Sequence, residues 1–305
     1  MLDLRRLDVL HRFSTLGSIN AVAIDMGYSP SAISQQLSTL EREAGVALLE
    51  RTAQRANLTD AGRELAEHAA GILDAVERAQ SLMRARAGTI GGRVVLSCIP
   101  GLAAALAPFL ADAQHEHPAL RIVAHEINST EAASAVLEGR SDVAVVDDWT
   151  QDARPPRSGL DVHLLRREQI VLAVNRTHEL AGRSTPVSAS ALRTVVETDT
   201  FLSATSTQLS RIATDERLAS AGADPVQRWE FEGLHVLGAL VATNSGVALL
   251  PTSIAEEQDD VVGLPLAPRM YRRILAVTRS TIAHDPAIET CLTAARKAFA
   301  PFVAP

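Results

Sequence analysis

Leu4, Leu7, Val9, Leu10 and Phe13 recur at helical spacing and predict a first helix ending near Gly17. The stretch from Ser18 to Leu40 then reads as a helix, a tight turn and a second helix. Ser18 and Ser29 stand at N-cap positions, and Pro30 occupies a first helical position, where its missing N–H costs nothing. Ala23 is small enough for two helices to cross, Gly27 tolerates a positive φ in the turn, and Ile33 plugs the underside of the second helix. This is the pattern of a helix-turn-helix, which lays its second helix in the major groove of DNA. After Gly45, a C-cap, ALLERTAQRANLT reads as two short strands around a polar turn, a wing. A long helix begins with Thr59 as N-cap. Along it Leu65, Ala69, Ile72, Val76, Ala79 and Met83 form a heptad seam that predicts dimerisation.

Gly88, Gly91 and Gly92 mark a hinge, and beyond them short apolar runs alternate with helical ones. Strands are expected over 93–99, 120–127 and 142–146, with helices over 102–114 and 131–137 between them. A second series gives strands over 169–174, near 195–202, 226–231 and 246–250, and helices over 209–221 and 234–243. A strand over 273–277 and a helix over 288–299 close the chain. Strand–helix–strand order implies parallel sheets covered on both faces, here as two α/β lobes with a cleft between them.

The 305 residues suit a small module joined to a larger one. No apolar stretch spans a bilayer and MLDLRR has no export core, so a cytoplasmic protein without membrane partners is expected. Cys98 and Cys291 are too few for a disulfide framework or a zinc site, and no metal or cofactor is expected. A net charge of −7 argues against nucleic-acid binding only on average, because local clusters decide it and Arg51 and Arg55 lie close together on the wing. Lys297 is the only lysine, which leaves no convincing Schiff-base site. Phosphate-loop, nucleophile-elbow and HExxH motifs are absent, and no enzyme activity is expected.

The segments GSINAVAIDMGYSPSAISQQLSTLE, GVALLERTAQRANLTDAG and GVALLP at 246–251 resemble the LysR-type transcriptional regulators, and the similarity extends over the whole chain. The resemblance implies a winged helix-turn-helix over 1–58, a dimerising linker helix over 59–88 and a periplasmic-binding-protein-like effector domain over 89–305. The lobes are then expected at about 89–161 with 268–305, and at about 162–267. It also implies a homodimer or homotetramer on inverted repeats in double-stranded promoter DNA. Gln35 stands where many relatives carry arginine, Val22 replaces a commonly small residue, and Leu49 replaces a common phenylalanine.

Ser31, Ser34, Gln35 and Ser38 share one face of the second helix, with Gln36 toward its edge and Ser29 at its start. Gln35 can bond adenine bidentately, while Arg51 and Arg55 are placed to touch backbone or minor groove. Ligands of parallel sheets sit at the carboxyl ends of strands, beside helix N-termini. The polar residues assigned to such ends are Ser97, Pro100, Gly101, Ser129, Thr130, Ser203, Thr205, Ser206 and Asn244, which fit a small carboxylate or amino-acid effector. Asp147 and Asp148 read as solvated loop acids that could also meet an amino group, Cys98 as a core thiol that could also act as a redox sensor, and His115 and His117 as surface residues. An effector-independent repressor and an enzyme tethered to a DNA-binding domain are the competing readings.

Overall fold

The computed structural model describes residues 1–51, 56–87, 90–150 and 157–300, with the backbone alone at 51, 81, 84 and 85. The chain falls into two compact units, with the main division between residues 89 and 90.

In the first unit, α1 (Leu4–Leu16), α2 (Ile19–Met26) and α3 (Pro30–Ala44) pack around Leu7, Leu10, Phe13, Val22, Ala23, Ile33, Leu37 and Leu40. Each helix starts where a side chain can satisfy its free N–H groups: Ser18 accepts from Ala21 N–H at 3.1 Å and Ser29 from Ala32 N–H at 3.2 Å. Gly27 ends α2 at φ 69°, which brings Tyr28 N–H to Ala23 O at 2.9 Å and turns the chain into α3. β1 (Leu49–Arg51) and β2 (Ala56–Leu58) pair antiparallel with Leu49 opposite Leu58. One carboxylate oxygen of Glu41 accepts both Leu48 N–H and Leu49 N–H at 3.0 Å, tying this wing to α3.

Thr59 caps α4 (Asp60–Arg86), accepting from Gly62 N–H at 3.0 Å and donating to Ala47 O at 2.8 Å. The expected seam divides. Ala69 is buried in the core of its own unit with Leu65 packed against it, whereas Ile72 and Met83 are 39% and 58% exposed. The first three turns of α4 thus complete the winged unit, and only the later part of the stripe faces outward.

The second unit is built on one eight-stranded sheet of order β4-β3-β5-β10-β6-β9-β7-β8. Its elements are β3 (Gly92–Cys98), α5 (Pro100–Glu116), β4 (Leu120–Glu126), α6 (Ala132–Leu137), β5 (Val143–Asp148), β6 (Leu160–Asn175), α7 (Ala189–Thr198), β7 (Phe201–Ser203), α8 (Leu209–Ser220), β8 (Arg228–Glu230), α9 (Leu234–Ala242), β9 (Val247–Pro251), α10 (Thr252–Glu256), β10 (Val261–Arg279) and α11 (Pro286–Ala298). The sheet is mixed, not parallel throughout. β3 pairs parallel with β4 and β5, and β7 with β8 and β9, but β6 and β10 run antiparallel to each other along nearly their whole length. These two long strands pass from one lobe to the other. The sequence shows only their apolar ends, because the crossover stretch reads RREQ on one strand and YRR on the other.

Two apolar clusters cover lobe I, one under α5 and α11 and one under α6. Two more cover lobe II, one beneath α7 and α8 and one beneath α9 and α10. The strand expected near 195–202 is corrected. Val195 and Val196 form the buried face of α7, which Ser188 caps by accepting from Ala191 N–H, and β7 begins only at Phe201.

Candidate functional site

Two places in the chain carry chemistry, one in each unit. On α3, Ser31 and Gln35 are exposed and Ser34 and Ser38 are partly so, while Ile33, Leu37 and Leu40 fix the opposite face in the core. Ser29 is engaged as the N-cap and lies 2.9 Å from Ser31 Oγ. Gln36 is exposed as well; its Oε1 accepts from Arg6 Nε at 3.1 Å, and Arg6 also pairs with Glu43, which ties this side chain to α1. Arg51 lies on β1, and Arg55 lies outside the described residues. Arg12 is bound to Asp8 and Asp25, and Arg63 to Asp60.

The second place is the cleft between the lobes, toward which the carboxyl ends of the parallel strands run. Pro100 and Gly101 open α5 and are exposed. A Cβ added at Gly101 would lie 3.7 Å from the imidazole of His235, so the start of α5 in lobe I faces the start of α9 in lobe II. On the lobe II side, Leu202, Ser203, Ala204, Ser210, Thr214, Leu234, Leu237 and Leu249 line a small pocket. Ser203 Oγ and Thr205 Oγ1 are buried there or beside it with no hydrogen-bond partner. An unsatisfied buried hydroxyl costs about 1–3 kcal/mol, and each of these two can still bond a water or a ligand group. Ser206 is exposed at the same loop.

On the lobe I side Ser129 Oγ donates to Asp147 at 2.9 Å, and Thr130 turns back on Asn128. Three expectations are corrected here. Ser97 is fully buried, bonded to His125 Nε2 at 2.9 Å and to Ser141, so its hydroxyl is consumed inside lobe I. Asn244 precedes β9 and closes α9 at φ 57°. It therefore sits at the amino end of a strand, opposite the end that meets the cleft. Asp147 and Asp148 are not solvated: Asp147 is 7% exposed and bound by Ser129, Trp149 and Arg272, and Asp148 pairs with Arg273 and Thr150.

Several residues were missed. Ser210 and Thr214 lie four apart on α8 and face Ser203, a spacing that helical periodicity could have revealed. His235 and the buried pair Glu168 and Arg272 carried no local signal, because only the tertiary fold brings them to the crossover or the cleft. Both thiols are buried, and burial, with Glu126 nearby, pushes the Cys98 thiol above its ordinary value, which disfavours a reactive thiolate. His115 and His117 join no group of metal-ligating side chains among the described residues. No described helix is long and apolar enough to cross a membrane.

Residues 4–63 match the bacterial regulatory helix-turn-helix of the lysR family, and residues 87–300 match the LysR substrate binding domain. The nitrogen assimilation regulatory protein nac of Klebsiella aerogenes is 30% identical over 260 residues, covering 83% of this chain and 80% of that protein. The Escherichia coli nac protein is 28% identical over 256 residues, at 83% and 80% coverage. Among solved structures, a full-length OxyR variant of Pseudomonas aeruginosa shares the fold with a TM-score of 0.72 at 17% identity, covering 97% of this chain and 95% of that one. Full-length BenM aligns with a TM-score of 0.55 at 22% identity over 98% and 97% of the two chains.

Proposed function

Because this chain belongs to the LysR family of bacterial transcriptional regulators, with a helix-turn-helix and a substrate-binding domain, we propose how its own residues divide the work. Gln35 makes the base contact, flanked by Ser31, Ser34 and Ser38, while Ser29, Arg51 and Arg55 hold the backbone. Gln36 is left out of the base-reading set because Arg6 occupies it. A small carboxylate or amino acid binds in the inter-lobe cleft, between Pro100 and Gly101 with Ser129 and Thr130 on one side and Ser203, Thr205 and Ser206 on the other. The protein works in the cytoplasm as a homodimer or homotetramer joined through the outer stripe of α4.

The observation that carries the effector reading is the pair of buried, unpartnered hydroxyls at Ser203 and Thr205. Hydroxyls donate to a carboxylate without needing a fixed cation beside it. Ligand bound across the cleft favours one arrangement of the lobes only by its differential affinity for that arrangement.

Thr205→Val, which keeps the shape and removes the hydroxyl, tests this. The unliganded variant is expected to be as stable as the wild type or about 1 kcal/mol more so, because an unsatisfied group is removed. In calorimetry against a panel of small carboxylates and amino acids, a compound that binds the wild type should lose about tenfold in affinity for the variant, on the order of 1.4 kcal/mol. Equal binding to both proteins would place the ligand elsewhere.

A further inference from the structure

We propose that Arg272 is a positioning residue that couples the lobe I edge of the cleft to lobe II through one continuous polar chain; its bearing on effector response rests on the cleft reading above. Arg272 lies on β10 where that strand passes between the lobes, and its side chain is 4% exposed. Its Nε and Nη2 donate to Glu168 Oε2 at 2.9 and 2.8 Å, from the position directly opposite on β6. Its Nη1 reaches Asp147 Oδ2 at 3.4 Å. Asp147, at the end of β5 in lobe I, accepts from Ser129 Oγ at 2.9 Å and from Trp149 Nε1 at 2.6 Å. The other oxygen of Glu168 accepts Ser253 N–H at 2.8 Å, at the head of α10 in lobe II. The chain runs Ser129, Asp147, Arg272, Glu168, Ser253, from the rim of one lobe into the body of the other.

Stability alone does not call for such a cluster. Desolvating two carboxylates and a guanidinium is costly, and well-packed apolar residues of similar volume often serve as well or better. The cluster does supply rigidity of relation. A guanidinium offers its donors in a fixed planar fork, so it serves two carboxylates only when both stand in set directions. Displacing one of them leaves a buried charge poorly matched, a penalty too large to be absorbed locally. The 3.4 Å contact to Asp147 is the longest link, and Asp147 is the member bonded to the cleft through Ser129. A group that takes over the Ser129 hydroxyl thereby changes what Asp147 asks of Arg272.

Hydrogen exchange of the full-length protein, without DNA or any added ligand, tests the coupling. Its outcome is therefore separate from the fate of the effector reading. Glu168→Gln removes charge at the direct acceptor of Ser253 N–H and serves as the reference, with faster exchange expected over 252–256. Asp147→Asn lies in the other lobe, yet it should speed exchange over 252–256 about fivefold or more, the lower end of ordinary coupling between sites. Ser129→Ala should act in the same direction more weakly, and Asp147→Asn should add little in the Glu168→Gln background. Arg272→Lys, which keeps the charge but not the fork, should loosen the same segment and carries the test if Asp147→Asn fails to fold. Exchange over 252–256 that stays at the wild-type rate in Ser129→Ala and in Arg272→Lys, while Glu168→Gln raises it, overturns the proposal.

Discussion

At the scale of single residues, the two adjacent glutamines on α3 separate by what holds them. Both are exposed, but Gln35 lies on the face that carries Ser31, while Gln36 is engaged by Arg6, which is itself paired with Glu43. Gln35→Ala is expected to change which operator variants bind, by about 1–3 kcal/mol at one base position. Gln36→Ala is expected to leave that ranking unchanged. Anisotropy titrations across single-base operator variants check both, and a reranking by Gln36→Ala alone would reverse the assignment. A titration effect belongs to the same scale. Burial by itself would raise the Glu168 carboxyl, but Arg272 and Ser253 outweigh it and hold the group below its ordinary value. A lowered folded-state pKa adds stability that is fully present above the unfolded value and is lost as pH falls through the folded one. The difference in Tm between wild type and Glu168→Gln should therefore be largest above about pH 5 and shrink below about pH 4. A gap that widens in acid would contradict this.

Among the elements, legibility followed the range of the cause. Caps and turns are local, so Ser18, Gly27, Ser29 and Thr59 announce the ends of α2, α3 and α4 in the sequence itself. Long-range causes left weaker traces. β6 and β10 looked like short strands because their middles carry charges, and those charges find partners in the fold: Glu168 faces Arg272 across the ladder, Arg273 pairs with Asp148 and Arg167 stacks on Tyr271. Ser97 looked like a cleft residue by its place in β3, yet its partners His125 and Ser141 come from other parts of lobe I. Gly62 shows the reverse, a glycine whose reason appears only in three dimensions. A Cβ there would stand 2.1 Å from Leu48 O, where the wing passes under the first turn of α4. Gly62→Ala would raise helix propensity in an isolated peptide, but in the protein the clash should win and destabilise the winged unit by about 1–3 kcal/mol. Chemical denaturation with a probe in the first unit measures it, and a more stable variant would show that the wing moves aside at little cost.

Across the whole molecule, the distribution of charge sets how this regulator finds DNA. Residues 1–87 hold ten arginines against eleven acidic side chains, so the head is close to neutral. Three of those arginines, Arg6, Arg12 and Arg63, are bound to carboxylates of the same unit. The face proposed to read bases contributes serines and Gln35, which bring hydrogen bonds but no counterion release, and the one arginine of that helix, Arg42, stands in its last turn. With Arg5, Arg51 and Arg55 as the cations best placed by sequence to meet phosphate, each head neutralises about three phosphates, and log K should fall with log salt at a slope of about −3 per head. Such a head gains little from non-specific attraction and, on the proposed reading, leans on base contacts and on pairing of copies through α4. Leu82 and Met83 are each 58% exposed on that helix. Replacing both with glutamate should weaken self-association in sedimentation experiments and, with it, operator affinity, while the salt slope per bound head stays the same. A steep slope in the wild type, near that of a strongly basic head, would mean that paired arginines such as Arg6 and Arg12 release their carboxylates on meeting DNA.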